Sequence, residues 1–194
     1  MFLDYALRSE VGKMKSPRIL DLCGAPGGKS TLLNSMIGEN GLLVSNEIVK
    51  NRVTALVQNL SRWGTLNTIV TNSDPAAFAQ TSGYFDVLVV DAPCSGSGLF
   101  RKLPEAISEW SEKKVEMCGQ RQKQILEDAL PALEPGGWLF YSTCSYSREE
   151  NEDVVSWLCS EQGLEFVSLP VDSEWGIVAG ELGYRFYPDR TASE

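Results

Sequence analysis

The feature that most constrains this chain is a repeated alternation of short apolar runs with stretches that carry apolar residues at helical spacing. "RILDLCG" (18–24) reads as a β-branched and leucine-rich strand ending in glycine, and "GGKSTLLNSMIG" (27–38) as a helix closed by Gly38. "GLLVSNEI" (41–48) and "KNRVTALVQNLSRWG" (50–64) repeat the pair, with Gly64 as the stop. "NTIVTN" (67–72) is a third strand and "FDVLVVDAP" (85–93) a fourth, ended by Pro93. "VEMCGQRQKQILEDALPALEPGG" (115–137) reads mostly as helix with a Pro-Gly-Gly stop. "GWLFYSTCS" (137–145) follows as a fifth strand, "REENEDVVSWLCSEQG" (148–163) as a helix, and "LEFVSLP" (164–170) as a sixth strand. Strands of continuous apolar character need cover on both faces, which a parallel sheet flanked by helices provides. The expectation is a single α/β domain over residues 1–194, built on a Rossmann-like, doubly wound, mostly parallel sheet. In such sheets ligands sit outside the carboxyl ends of the strands, near the point where strand order reverses.

Composition then narrows the chemistry. The chain has no histidine, which removes Ser-His-Asp and Cys-His catalysis together with imidazole metal sites. Its five cysteines include no C-x-x-C and no regular spacing, so neither a zinc site nor a disulfide framework is expected, and a reducing cytoplasm suits them. No apolar run is long enough to span a membrane, and "MFLDYALRSEVGKMKSPR" lacks the order of a secretory signal. The net charge of −9 argues against an autonomous nucleic-acid binder. One local basic cluster exists, Arg101, Lys102, Lys113, Lys114, Arg121 and Lys123, and its ordinary reading is a set of solvated helix and loop positions.

The loop "DLCGAPGGKS" follows the first strand and opens the first helix, where glycines allow close backbone approach to a ligand. A P-loop would need its first glycine at position 23, which is Cys23; Gly24 is one residue too close, although "VLVVD" would pass for the magnesium-binding strand of such an ATPase. A G-x-G-x-x-G dinucleotide fingerprint does not fit "CGAPGG" either. A tight turn without a ligand is the structural alternative. The remaining reading is S-adenosyl-L-methionine, which asks for an acid about 20 residues past the glycines to hold the ribose hydroxyls. Glu47 stands 19 residues after Gly28, at the end of the second strand. Asp74, in "TNSDPAAF", lies just beyond the third strand where an adenine would sit; alone, it would be an Asx-Pro turn.

Two further strands end on thiols, Cys94 in "DAPCSGSG" and Cys144 in "YSTCSYS". A cysteine after a buried strand is commonly a small core residue. Paired with a methyl donor, two such thiols suggest pyrimidine C5 chemistry. Thiolate addition at C6 makes C5 nucleophilic, and a base later removes the C5 proton as the thiolate leaves. Ser147 to Glu150 matches a capping box, which would set a helix start near Cys144 and favour its thiolate. Cys118 and Cys159 fall on helices and read as structural.

Taken together, "DLCGAPGGKST", "NEIVKNRV", "NSDPAAF", "DAPCSGSGLFRK" and "YSTCSYSREENE" resemble the RNA cytosine-5 methyltransferases of the Nol/Nop/Sun type, on their ribosomal-RNA branch. The resemblance runs from about Ile19 to Val155. It implies that Cys144 attacks C6, that Cys94 assists breakdown of the adduct, and that Asp91 contacts the cytosine edge and the methionine end of the cofactor. It further implies that Cys23, Gly24, Ala25, Pro26, Gly27, Gly28 and Lys29, with Glu47, Asp74 and Asp91, hold S-adenosyl-L-methionine. The expected partner is RNA, ribosomal first and transfer RNA next, engaged by a cytoplasmic monomer without metal or membrane. Relative to that family, residues 1–18 read as the remnant of an N-terminal extension, and the last strand of the sheet as missing after "YRFYPDRTASE". A non-catalytic module that binds cofactor or RNA is the alternative outside enzymes.

Overall fold

The computed structural model describes residues 2–64 and 66–191. Met1 and residues 192–194, the outermost positions of the single-domain expectation, lie outside the described residues. The chain forms two compact units. One comprises Phe2–Ala92 and Gln124–Ser142, and the other Pro93–Lys123 with the residues from Thr143 onward.

The first unit carries a five-stranded sheet. Its strands are β1 (Arg18–Asp21), β2 (Leu42–Asn46), β3 (Thr68–Thr71), β4 (Phe85–Asp91) and β5 (Leu133–Ser142), in the order β3-β2-β1-β4-β5. Every pairing is parallel, with Leu20 opposite Val44 on one side and Leu88 on the other. The order reverses between β1 and β4, which makes that crevice the switch point of a doubly wound sheet. The central strands are buried on both faces: Ile19, Leu20, Leu43, Val87, Leu88, Val89 and Val90 are all at most 1% exposed. At 25 cal/mol per Å² of apolar area, burial of this kind is the main drive holding the sheet together. Helices α2 (Gly28–Asn34) and α3 (Lys50–Trp63) follow β1 and β2, as the hydropathy pattern predicts. A helix the sequence reading does not assign, α1 (Phe2–Glu10), puts Leu7 into the same cluster as Val11, Ile19, Leu33, Ile37 and Leu43.

Several boundaries differ from expectation: α2 ends at Asn34, short of Gly38, and β5 ends at Ser142, two residues before Cys144. The helix read over 115–137 is α5 (Glu112–Ala129); a short 3-10 turn, Leu130–Ala132, ends it well before the Pro-Gly-Gly. That tripeptide lies inside β5, where Phe85 pairs with Leu133 but Val87 pairs with Trp138, so it forms a bulge rather than a helix stop. "LEFVSLP" forms no strand. Its backbone instead meets a side chain, with Tyr184 donating to the Leu169 carbonyl at 2.9 Å.

The second unit contains α4 (Glu105–Glu109), α6 (Glu152–Glu161) and an antiparallel hairpin of β6 (Val178–Gly180) with β7 (Gly183–Arg185). No helix among the described residues is long and apolar enough to cross a membrane.

Candidate active site

In the sheet unit, the loop after β1 is fixed by its backbone and by α3. Gly24 donates to the Asn46 carbonyl at 2.7 Å, Arg52 to the Ala25 carbonyl at 2.8 Å, and Asn59 to the Pro26 carbonyl at 2.7 Å. Position 24 has no room for a side chain: a Cβ there would lie 2.3 Å from Ser45 Oγ and 3.0 Å from Ser30 Oγ. Beneath it Asp21 is fully buried, accepts from Ser30 Oγ at 2.6 Å through Oδ2, and has no hydrogen-bond partner at Oδ1 among the described residues. Burial pushes the Asp21 carboxyl up to about 7 against the opposing pull of Ser30. Burial likewise pushes the Cys23 thiol up to about 12, helped by the charges of Asp21, Glu47 and Asp91. Cys23 is thus held as a neutral thiol.

Glu47 directly follows the last residue of β2 and is buried. Oε1 accepts from Val49 N at 2.9 Å; Oε2 faces Arg52 at 3.3 Å without making a hydrogen bond. Its neighbour Asn46, which sequence reading passes over, ties three strand ends together. Asn46 donates to the Leu22 and Ser73 carbonyls and accepts from Thr71 Oγ1 and Ser73 N. The only sequence signal for it is its place in the same strand-end tripeptide as Glu47. Asp74 is exposed and accepts from Ala76 N at 3.0 Å, capping the 3-10 turn Pro75–Thr81. That is the Asx-Pro geometry. At the end of β4, Asp91 accepts from Lys29 Nζ at 2.7 Å and from Ser142 Oγ at 2.8 Å. Lys29 from the glycine loop and Asp91 are therefore one pair, about a third exposed on each side.

In the second unit the two thiols meet. Cys94 is half-buried, Cys144 exposed, and neither is in a disulfide. The Cys94 thiol hydrogen-bonds to Cys144, and that contact, then burial, then the charge of Cys144 push it far above the ordinary thiol range. Two adjacent sulfurs cannot both ionise. Of the two sulfurs, Cys144 is the exposed one. Gly98 donates to the Cys144 carbonyl at 2.8 Å, and Ser97 Oγ accepts from Tyr146 N at 2.8 Å, so the Cys94 and Cys144 loops are stitched together.

The capping box expected at Ser147–Glu150 does not form. Helix α6 starts at Glu152, and Asn151, at its N-cap, makes no side-chain cap bond. Glu150 instead turns inward, fully buried, and accepts from Ser95 N, Ser95 Oγ, Ser145 Oγ and Gln122 Nε2. Glu152 pairs with Arg185, which also donates to the Tyr146 carbonyl at 2.9 Å. Of the basic cluster, Arg101, Lys102, Lys113 and Arg121 are exposed, while Lys123 lies 5.7 Å over the Trp157 ring.

A parallel sheet of this order, with a glycine loop after its first strand and a buried carboxylate ending its second, is the S-adenosylmethionine-dependent methyltransferase fold. Within that class, residues 11–194 match the model of the 16S rRNA methyltransferase RsmB/F family, and the chain belongs to it. Ribosomal RNA small subunit methyltransferase F of Pectobacterium atrosepticum is 41% identical over 154 residues, covering 78% of this chain and 32% of that protein. The chain thus spans about a third of the length of the curated relatives it matches. Among solved structures, PH0851 superposes with a TM-score of 0.80 at 29% identity, over 92% of this chain and 40% of that one. NSun6 from Pyrococcus horikoshii, solved with SFG, gives 0.72 at 26% identity, over 87% and 43%. Membership of this family leaves the P-loop ATPase alternative without support.

Proposed function

We propose that this chain methylates C5 of cytosine in ribosomal RNA, using S-adenosyl-L-methionine and a covalent adduct between Cys144 and C6. The observation that carries the reading is the pair of thiols, Cys94 and an exposed Cys144, on two loops that hydrogen-bond to each other. The names of the relatives supply the RNA class. We take residues 1–194 as one catalytic domain of a cytoplasmic monomer. The cofactor residues fit: Glu47 Oε2, 3.3 Å from Arg52, is a buried acceptor without a hydrogen bond among the described residues, at the strand end where ribose hydroxyls would be held. Residues 23–29 and Asp74 would complete that grip.

When bound, S-adenosylmethionine supplies an electrophilic sulfonium methyl group for the activated C5 carbon. The chain's own residues do the rest. Asp91, held by Lys29 and Ser142, presents a fixed carboxylate to the cytosine edge. The Cys144 thiolate bonds to C6 and loses its negative charge in doing so. That removes two of the three causes keeping the Cys94 proton in place, the hydrogen bond and the charge of Cys144. Once Cys94 has released its own proton to solvent, its thiolate takes the C5 proton, as the C6–S bond breaks and Cys144 leaves as thiolate. Bisulfite mapping of RNA from cells lacking the gene tests the proposal. Loss of a 5-methylcytosine from ribosomal RNA supports it; loss from transfer RNA alone, or no loss, rejects it.

A further inference from the structure

We infer that Glu150 is the positioning residue for both thiols, an inference that rests on the roles proposed above for Cys94 and Cys144. Cys94 is flanked by Pro93 and Ser95, and both flanks are anchored to one buried group. Ser95 N donates to Glu150 Oε1 at 2.7 Å and Ser95 Oγ to Oε2 at 2.5 Å. Gln122 Nε2 donates to the Pro93 carbonyl at 3.0 Å and to Glu150 Oε1 at 3.2 Å. Cys144 is flanked by Thr143 and Ser145. Ser145 Oγ donates to Glu150 Oε2 at 2.6 Å, while Asn151, the next residue, accepts from Thr143 Oγ1 at 2.8 Å and donates to the Ser145 carbonyl at 2.9 Å.

A single carboxylate therefore takes four donors from two loops and a helix, and it reaches Ser95 across 55 positions of sequence. A carboxylate buried this completely is tolerated only when its lone pairs are filled, and filling them fixes where the donors sit. The donors here are the residues next to the two sulfurs. Glu150 acts on the sulfurs through Ser95 and Ser145, the residues beside them, and not on the substrate. Truncation would take from Ser95 N and the two hydroxyls the acceptor they share, leave Gln122 only the Pro93 carbonyl, and let both loops relax.

The test uses the polypeptide as its gene encodes it, with Glu150→Ala, Glu150→Gln and Cys144→Ala assayed on ribosomal RNA alongside calorimetric binding of S-adenosylhomocysteine. A reacting group displaced by a fraction of an ångström loses rate rather than binding, so Glu150→Ala is expected to lower kcat roughly 30-fold or more. KM for RNA and cofactor affinity are expected to stay within about threefold, because neither ligand is held by Glu150 in this account. Glu150→Gln keeps an acceptor of the same length and is expected to recover most of kcat. If Glu150→Ala does not fold, Ser95→Ala and Ser145→Ala each remove one donor, and each is expected to lower kcat alone. Unchanged kcat in Glu150→Ala, or in both serine variants, beside an inactive Cys144→Ala overturns the inference and leaves the thiol roles intact. An active Cys144→Ala overturns the thiol roles, and the inference with them.

Discussion

Two buried carboxylates in the sheet unit, Asp21 and Glu47, carry different expectations. Glu47 offers one oxygen to Val49 N and leaves the other without a hydrogen bond. A hydrogen bond from a ligand to a charged group is worth about 1.5–3 kcal/mol. Calorimetry should accordingly show S-adenosylhomocysteine binding to the wild type, weaker binding by that amount in Glu47→Ala, and no heat with ATP and magnesium. Asp21 concerns pH. Its carboxyl titrates near 7 in the folded protein and near 3.8 when unfolded, so between those values the native state holds the extra proton. Stability is therefore lost as pH rises through that window, by at most about 1.4 kcal/mol per pH unit from this group. Denaturant titrations of Asp21→Asn between pH 4 and 8 should show that slope removed; an unchanged slope would mean that Asp21 is ionised in the fold. Glu47 was legible from its distance to the glycines. Asp21 was not, because nothing local in "RILD" shows that Gly24 and Ser45 close over it.

At the scale of elements, the sheet was readable because its central strands are apolar on both faces and each is followed by a helical period. The bulge in β5 was hidden, since Pro-Gly-Gly has the same composition whether it stops a helix or kinks a strand. The failed capping box has the same origin. Ser147 to Glu150 satisfies the local pattern, but the donors that claim Glu150 come from Ser95 and Gln122, far off in sequence. The loop holding Cys94 gives the prediction at this scale. A Cβ on Gly98 would stand 2.6 Å from the Cys144 carbonyl oxygen and 3.3 Å from its carbon, both backbone atoms that cannot swing away. Gly98→Ala must displace the Cys144 loop. Methyl transfer should fall about 100-fold, as misplacement of a reacting group does. Cofactor affinity should remain at the wild-type value; equal activity of the variant in a single-turnover assay would show that the two loops are not mutually set.

At the scale of the whole molecule, the glycine loop and Glu47 belong to the sheet unit, and Cys94 and Cys144 to the second unit. The motifs at the strand ends made both legible, whereas the buried network behind the sulfurs was visible only in three dimensions. In a chain of net charge −9, Arg101, Lys102, Lys113 and Arg121 are exposed basic side chains. The most direct test of the central claim is denaturing electrophoresis of the protein after incubation with cofactor and ribosomal RNA, in three forms. The account predicts that Cys94→Ala traps RNA on the protein as a band that survives denaturation, because it attacks and cannot resolve. The wild type should turn over without accumulating that band, and Cys144→Ala should give neither band nor methylation. A trapped band in Cys144→Ala, or full methylation by that variant, would contradict the claim that Cys144 is the nucleophile.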